Sequence, residues 1–396
     1  MSYPTAAIGE IARFVGGGTP SKANAEFYTG DIPWVSPKDM KVWRIDRSED
    51  LITQAAVDGS AAKMLPAETV LLVVRSGILK HTLPVAIAAR PLTINQDLKG
   101  LIPTDHVDAN YLARIIKAAE PTVLGWVRAT TADNFPVKKL KEMSIPLPPL
   151  PEQQRIAAIL DQADALRRLR RQSLSRLSDL GQAIFYEMFG DVRANEQNWP
   201  DDMVLSDMSE IISGITKGRQ TKGQQTRAVS YMTVATVQDG FLNLENVKTI
   251  EATDKEIERY RLQKDDILLT EGGDPDKLGR GALWRGELDE CIHQNHVFRV
   301  RIKSERLEPI FASWLIASQR GKSYFLRSAK QTTGIASINS TQLKAFPMLL
   351  PPSSLQKKFA ARLDELTARQ SLATDALRAT EDLFASLQQR AFRGEL

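Results

Sequence analysis

The sequence predicts an α+β protein built from two mixed α/β domains. Two long antiparallel helices, coiled-coil-like, separate them, and the whole forms an internal pseudo-two-fold repeat. Three observations carry this prediction. The segment Leu140-Lys141-Glu142-Met143-Ser144-Ile145-Pro146-Leu147-Pro148-Pro149 returns roughly 200 residues later as Leu343-Lys344-Ala345-Phe346-Pro347-Met348-Leu349-Leu350-Pro351-Pro352. Each Pro-Pro step opens a long helical stretch with one skeleton, in which Gln153, Ala157, Ala158, Leu160 and Asp161 answer to Gln356, Ala360, Ala361, Leu363 and Asp364. The globular parts before the helices match more loosely, keeping apolar positions while polar ones change.

The first domain is expected over residues 1–145. It alternates short apolar runs with Gly/Pro punctuation: Gly16-Gly17-Gly18-Thr19-Pro20, Ile32-Pro33-Trp34-Val35-Ser36 and Thr69-Val70-Leu71-Leu72-Val73-Val74. Tyr111 to Ile116 reads as helix. The first helical region is expected over 146–193, its helix running from about Glu152 to Phe189. Its apolar positions are Ile156, Ile159, Ala163, Leu166, Leu177, Leu180 and Ile184.

The second domain, 194–347, repeats the order of the first. Ile8-Gly9-Glu10-Ile11 answers to Leu205-Ser206-Asp207-Met208, Thr19 to Thr216, and Trp34-Val35-Ser36 to Tyr231-Met232-Thr233. Val70-Leu71-Leu72 answers to Ile267-Leu268-Leu269, Ile94-Asn95-Gln96 to Ile292-His293-Gln294, and Thr130-Thr131 to Thr332-Thr333. The C-terminal helical region, 348–396, contains a helix from about Ser354 to Phe392. There Phe359, Leu363, Leu366, Ala373, Leu377, Phe384 and Leu387 recur near every 3.5 residues. Gly190 and Gly394 suit the helix ends. At 1.5 Å per residue each helix reaches roughly 55 Å. Each must bury one stripe, and the matching copy is the simplest partner; the competing use is dimerisation of the whole protein.

The chain has 396 residues and a formal net charge of +4, with 42% hydrophobic residues. That supports several modules with sizeable cores. No apolar run approaches the ~20 residues of a membrane span. Met1-Ser2-Tyr3-Pro4 lacks signal-peptide character, so a cytoplasmic location is expected. The single cysteine, Cys291, excludes an internal disulfide framework and a cysteine zinc site.

Catalytic chemistry is not expected. Neither Pro-Pro step follows the Asp or Asn that an adenine-methylating motif requires. Gly218 and Gly223 have phosphate-loop spacing, but Gln224 stands where the lysine belongs. Asp274-Pro275-Asp276-Lys277 only loosely resembles a nuclease carboxylate set and reads as a polar turn. His293 and His296 sit in a strand-like context that disfavours a metal site. No catalytic residue, bound cofactor or metal is expected on the chain.

Nucleic-acid chemistry is better represented. Thr19, Ser21, Lys22, Ser36, Lys38, Arg75, Ser76, Lys80 and His81 lie near strand ends of the first domain. Thr216, Lys217, Arg219, Lys222 and Arg227, with Gln220, Gln224 and Gln225, form a basic-polar run in the second, and Lys277, Arg280 and Arg285 follow another strand. Arg and Lys hold phosphates or guanine edges, and Gln and Asn pair with adenine. Residue type alone does not separate those roles from a solvated surface. The Arg167-Arg168-Leu169-Arg170-Arg171 cluster reads equally as a solvated helix face.

These features resemble the specificity subunit of type I restriction-modification systems. Ile145-Pro146-Leu147-Pro148-Pro149-Leu150-Pro151-Glu152-Gln153-Gln154-Arg155-Ile156-Ala157, followed by Leu160-Asp161, is similar to that family's central conserved region. Gly17-Gly18-Thr19-Pro20-Ser21, Ile32-Pro33-Trp34-Val35, Arg75-Ser76-Gly77 and Asn95-Gln96 are similar to its target-recognition domain. The resemblance implies two target-recognition domains, an asymmetric bipartite double-stranded DNA target with a fixed gap, and a non-catalytic role. It implies two methyltransferase subunits carrying S-adenosylmethionine as partners, and restriction subunits in the full complex. The second copy departs from the pattern: Glu271-Gly272-Gly273 stands for Arg75-Ser76-Gly77, and Ser353-Ser354-Leu355-Gln356 for Leu150-Pro151-Glu152-Gln153. A stand-alone sequence-specific DNA-binding regulator is the alternative reading.

Overall fold

In the computed structural model, which describes residues 3–128, 133–220, 223–273, 278–332 and 335–396, the chain divides into two compact units. One comprises Met1–Gln172 with Thr374–Leu396, the other Ser173–Ala373. The division falls within the two long helices, Leu150–Phe189 and Ser353–Ala391, so each unit holds part of both.

In the first unit, a five-stranded sheet has the order Ala12–Gly16, Leu98–Pro103, Val70–Val73, Val85–Ala88, Arg44–Ile45. A three-stranded sheet beside it has the order Leu51–Ile52, Ile32–Val35, Thr93–Ile94. The all-apolar run Val70–Val73 is wholly buried at the centre of the larger sheet, as an apolar strand without alternation should be. Helix Ala109–Ala118 covers this sheet. Asp108 caps it by accepting from the Tyr111 N–H at 2.8 Å.

The second unit repeats the plan. Ser209–Ser213, Val297–Ile302, Ile267–Thr270 and Gly281–Leu283 form one sheet, and Lys248–Ala252, Arg227–Met232 and Cys291–His293 the other. Helix Pro309–Ala317 takes the place of Ala109–Ala118, with Pro309 at its first position.

Backbone pairing fixes the correspondence between the copies and corrects two sequence alignments. Val35 O accepts from the Asn95 N–H, and Met232 O from the Gln294 N–H, both at 2.9 Å. Asn95 therefore answers to Gln294, and Ile94 to His293 rather than to Ile292. Val70 faces Leu101 as Ile267 faces Val300, so Glu271 answers to Val74 and Gly272 to Arg75. Thr19 does answer to Thr216, because Gly18 N–H donates to Ile94 O and Ile215 N–H to His293 O. The Thr130-Thr131 and Thr332-Thr333 correspondence lies partly outside the described residues.

The long helices begin and end close to the sequence expectation. Gly190 (φ 62°) and Gly394 (φ 73°) supply the left-handed residue past each end. Within the first unit they run antiparallel: Arg171 Nε reaches Glu381 Oε1 at 3.2 Å, and the Arg167 guanidinium lies 4.2 Å from the Phe384 ring centroid. Within the second they do the same: Gln370 Nε2 donates to Leu177 O at 2.9 Å, and Phe185 meets Phe359. Ile156, Ala163, Phe359, Leu363, Leu366 and Phe384 are buried as expected. Leu166 and Leu180 are not. They are 41% and 44% exposed, and with Leu169, Tyr186, Leu372 and Leu383 they leave apolar groups on the helix surfaces.

Each helix is tied to its domain by one buried glutamine. Gln153 Nε2 donates to Pro148 O (2.8 Å) and His106 O (3.0 Å), and its Oε1 accepts from the Asp108 N–H (2.9 Å). Gln356 repeats this with Pro351 O (2.8 Å), Arg306 O (3.1 Å) and the Glu308 N–H (2.9 Å).

Candidate nucleic-acid interface

The loops at one end of the larger sheet in each unit gather the polar residues. In the first unit, the chain leaving Gly16 passes close to the turn at Asn95. A Cβ on Gly17 would stand 1.9 Å from Asn95 O, which only glycine tolerates. This brings Thr19 Oγ1 onto Gln96 Oε1. Arg75, leaving the central strand, places Nε 2.6 Å from Asp97 Oδ1. Ser76 caps the turn Gly77–Lys80, and its N–H donates to Asp133 O at 2.9 Å. Lys80 Nζ lies 3.7 Å from Asp133 Oδ2, with exposed His81 after it. Thr19 and Arg75 thus meet the turn at 95–97, and Ser76 and Lys80 meet Asp133. Ser21 and Lys22 are exposed on the loop that follows Thr19.

Ser36 and Lys38 belong to a separate turn. Ser36 is buried, its N–H and hydroxyl donating to Asp39 Oδ2. Lys38 pairs with Glu49 (3.2 Å) and Asp50 (2.9 Å).

In the second unit, Thr216 and Lys217 are exposed on the equivalent loop. Gly214 makes the equivalent close approach, where a Cβ would stand 1.9 Å from His293 O. Arg219 is bound to Glu256, with Nη2–Oε2 at 2.7 Å. That guanidinium holds the Glu256 carboxyl down at about 2. Arg227 pairs with Glu290 and Asp254, which raise its pKa. Arg280 donates to Val234 O at 3.1 Å and is half-buried. Lys222 and Lys277, with the rest of Asp274-Pro275-Asp276-Lys277, lie outside the described residues.

Asp97, Asp133, Glu271 and His296 also stand at these loops, and none of them is among the DNA-contact residues expected from the sequence. The Asn95-Gln96 motif adjoins Asp97 and was the available signal. His296 Nδ1 lies 2.6 Å from Glu271 Oε2. His293 does not join it: that ring is fully buried, its Nδ1 lies 2.7 Å from Val297 O, and burial pushes its pKa down to about 4. Among the described residues no group of three or more His, Cys, Asp or Glu side chains could hold a metal ion.

This twice-built arrangement has relatives. The model of the type I restriction modification DNA specificity domain matches residues 3–178 and again 198–379. The chain belongs to this family. It is 41% identical over 188 residues to the EcoR124I/EcoR124II specificity subunit of Escherichia coli, covering 47% of this chain and 46% of that one. It is 34% identical over 222 residues to the MjaIX specificity subunit of Methanocaldococcus jannaschii, covering 54% and 48%. The chain thus spans about half the length of these two relatives. The StySPI specificity subunit of Salmonella potsdam is 23% identical over 416 residues, covering the whole of this chain and 89% of that one. The fold is shared with the solved S subunit of a type I restriction-modification system from M. genitalium (TM-score 0.58, 14% identity, 98% and 96% of the two chains). A further type I system chain, solved in a study of complex assembly, gives a TM-score of 0.61 at 15% identity, covering 100% and 98%. No helix among the described residues is long and apolar enough to cross a membrane.

Proposed function

We propose that this chain is the DNA sequence-recognition subunit of a type I restriction-modification complex, itself without catalytic activity. Each domain reads one half of an asymmetric bipartite target in double-stranded DNA. The long helices set the gap between the halves and dock two methyltransferase subunits, which carry S-adenosylmethionine; restriction subunits join in the full complex. The carrying observation is one loop arrangement made twice, with different side chains, on a four-strand order common to the two larger sheets. Two unlike heads on a common frame fit two unlike half-sites. The exposed apolar residues Leu169, Tyr186 and Leu372, at 61%, 64% and 71%, support partner docking on the helices. Lys22 and Lys217, exposed and with no ion pair among the described residues, fit phosphate contacts.

The test is methylation profiling of cells carrying the methyltransferase with and without this chain. A split motif that appears only with the chain is the expected result. Specific DNA binding by the chain alone, with methylation unchanged, would instead identify a stand-alone regulator.

A further inference from the structure

Around matching turns of the loop rims, each domain holds an acid–base pair of opposite polarity, with Glu271 one residue earlier on its strand than Arg75. In the first unit, Asp97 O accepts from the Val74 N–H at 2.8 Å; in the second, His296 O accepts from the Glu271 N–H at 3.0 Å. His296 therefore stands where Asp97 stands. In the first domain the strand end supplies the base, Arg75, and the turn supplies the acid, Asp97. In the second the strand end supplies the acid, Glu271, and the turn supplies the base, His296. Both basic groups are about half exposed, with side-chain exposures of 49% for Arg75 and 55% for His296.

Each acid fixes how its partner faces outward. Asp97 engages Arg75 through Nε, and the two terminal guanidinium nitrogens donate to nothing among the described residues. A guanidinium held this way offers two parallel donors, the pattern that matches guanine O6 and N7. Glu271 engages His296 through Nδ1. A carboxylate there favours the proton on Nδ1 and leaves Nε2 as an acceptor; the Asn295 side-chain amide donates to it at 3.4 Å, a long contact that a base would replace. An acceptor in the groove matches the amino group of cytosine or adenine.

Resting on the DNA-recognition reading above, we infer that Arg75 in one domain and His296 in the other, on opposite sides of matching turns, are base-reading residues of the two half-sites. Arg75 reads a guanine, His296 reads an exocyclic amino group, and Asp97 and Glu271 position them. The reversal is one source of the target's asymmetry.

The experiment is methylation sequencing of cells that carry the complete system with Arg75→Ala, Arg75→Lys, His296→Ala or Glu271→Gln. The wild-type motif serves as the reference, and the melting of each purified complex as the folding control. Arg75→Ala should relax one G·C position in one half-site only, by roughly 5- to 150-fold in discrimination. Arg75→Lys should restore it only partly, because an ammonium cannot make the paired contact. His296→Ala should relax a position in the other half-site, and Glu271→Gln should weaken the same position. An unchanged motif in correctly assembled Arg75→Ala and His296→Ala complexes overturns the inference and leaves the recognition role standing. Uniform weakening across sequences, with a shallower salt dependence, assigns these residues to phosphates and also overturns it. Absence of any split motif from the wild-type system defeats the underlying recognition reading instead.

Discussion

The joint between globular domain and long helices is built differently in the two units. The glutamine clamps align Asp108 with Glu308, which places Arg114 opposite Trp314 in the repeat. Arg114 is buried, with Nη2 at 2.6 Å from Asp161 Oδ1 and Nη1 at 3.4 Å from Asp164 Oδ2. Its guanidinium also lies 4.1 Å from the Trp43 ring centroid. Arg167 and Arg168 complete the charge around Asp164. In the second unit Trp314 instead stacks on Phe185 (5.9 Å) and meets Phe359 edge-on (5.7 Å). Gly181 makes the room, since a Cβ there would stand 2.7 Å from the indole. Asp364, the counterpart of Asp161, turns to Arg285 at 2.9 Å. One frame therefore accepts a charged joint or an aromatic joint, while its main-chain clamp stays the same.

Breaking each joint should separate the two solutions. Arg114→Ala leaves Asp164 buried without its main counter-charge and should cost about 3–5 kcal/mol in urea unfolding. Replacing both partners, as Arg114→Met with Asp164→Leu, should recover most of that loss; failure to recover would mean that the network does more than neutralise itself. Phe359→Ala should cost a similar ~3–5 kcal/mol through cavity formation, but with little dependence on salt. The clamps should behave alike: Gln153→Leu and Gln356→Leu each strand buried backbone groups and should cost about 1–3 kcal/mol. A large difference between them would contradict their equivalence. Gly181→Ala should destabilise by about 1–3 kcal/mol through overpacking against Trp314, less any gain in helix propensity. Net stabilisation would show that the indole moves aside freely.

The smallest effect is in pH. Burial alone would raise the Asp164 pKa, but Arg114, Arg167 and Arg168 outweigh it and lower it. A carboxylate depressed on folding stabilises above its unfolded pKa, about 3.9, and loses that contribution as pH falls through its folded value. The Arg114→Met/Asp164→Leu protein should therefore lose less stability than the wild type as pH falls below about 4. Equal acid sensitivity would place the titrating groups elsewhere.

The frame was more legible in the sequence than the site. Pro-Pro followed by glutamine marks both helix starts, because that residue serves backbone groups common to both copies. The buried run Val70–Val73 and the strand Ile32–Val35 announce themselves by composition. The one-residue misalignment at Ile292 arose from matching glutamine to glutamine, whereas strand pairing matches Asn95 with Gln294. Leu166 and Leu180 follow the apolar period yet stay exposed, because periodicity identifies apolar positions without saying which face finds a partner. The basic residues were visible by type but not by partner: Glu256 lies 37 positions from Arg219, and Glu290 lies 63 from Arg227. Only tertiary structure separates a guanidinium held by a carboxylate from a lysine facing solvent.

The glutamine clamps also bear on how such a chain can change. Among the described residues the side-chain hydrogen bonds of Gln153 and Gln356 go only to main-chain atoms, of His106, Asp108 and Pro148 or of Arg306, Glu308 and Pro351. Carbonyls and amides are common to nearly every residue, so this attachment makes almost no demand on the sequence it grips. The globular segment ahead of either helix can thereby diverge without disturbing the clamp, while Arg114 or Trp314 must change together with the helix residues it meets. A hybrid joining the first globular segment to a foreign second one has natural seams just before Pro148 and Pro351.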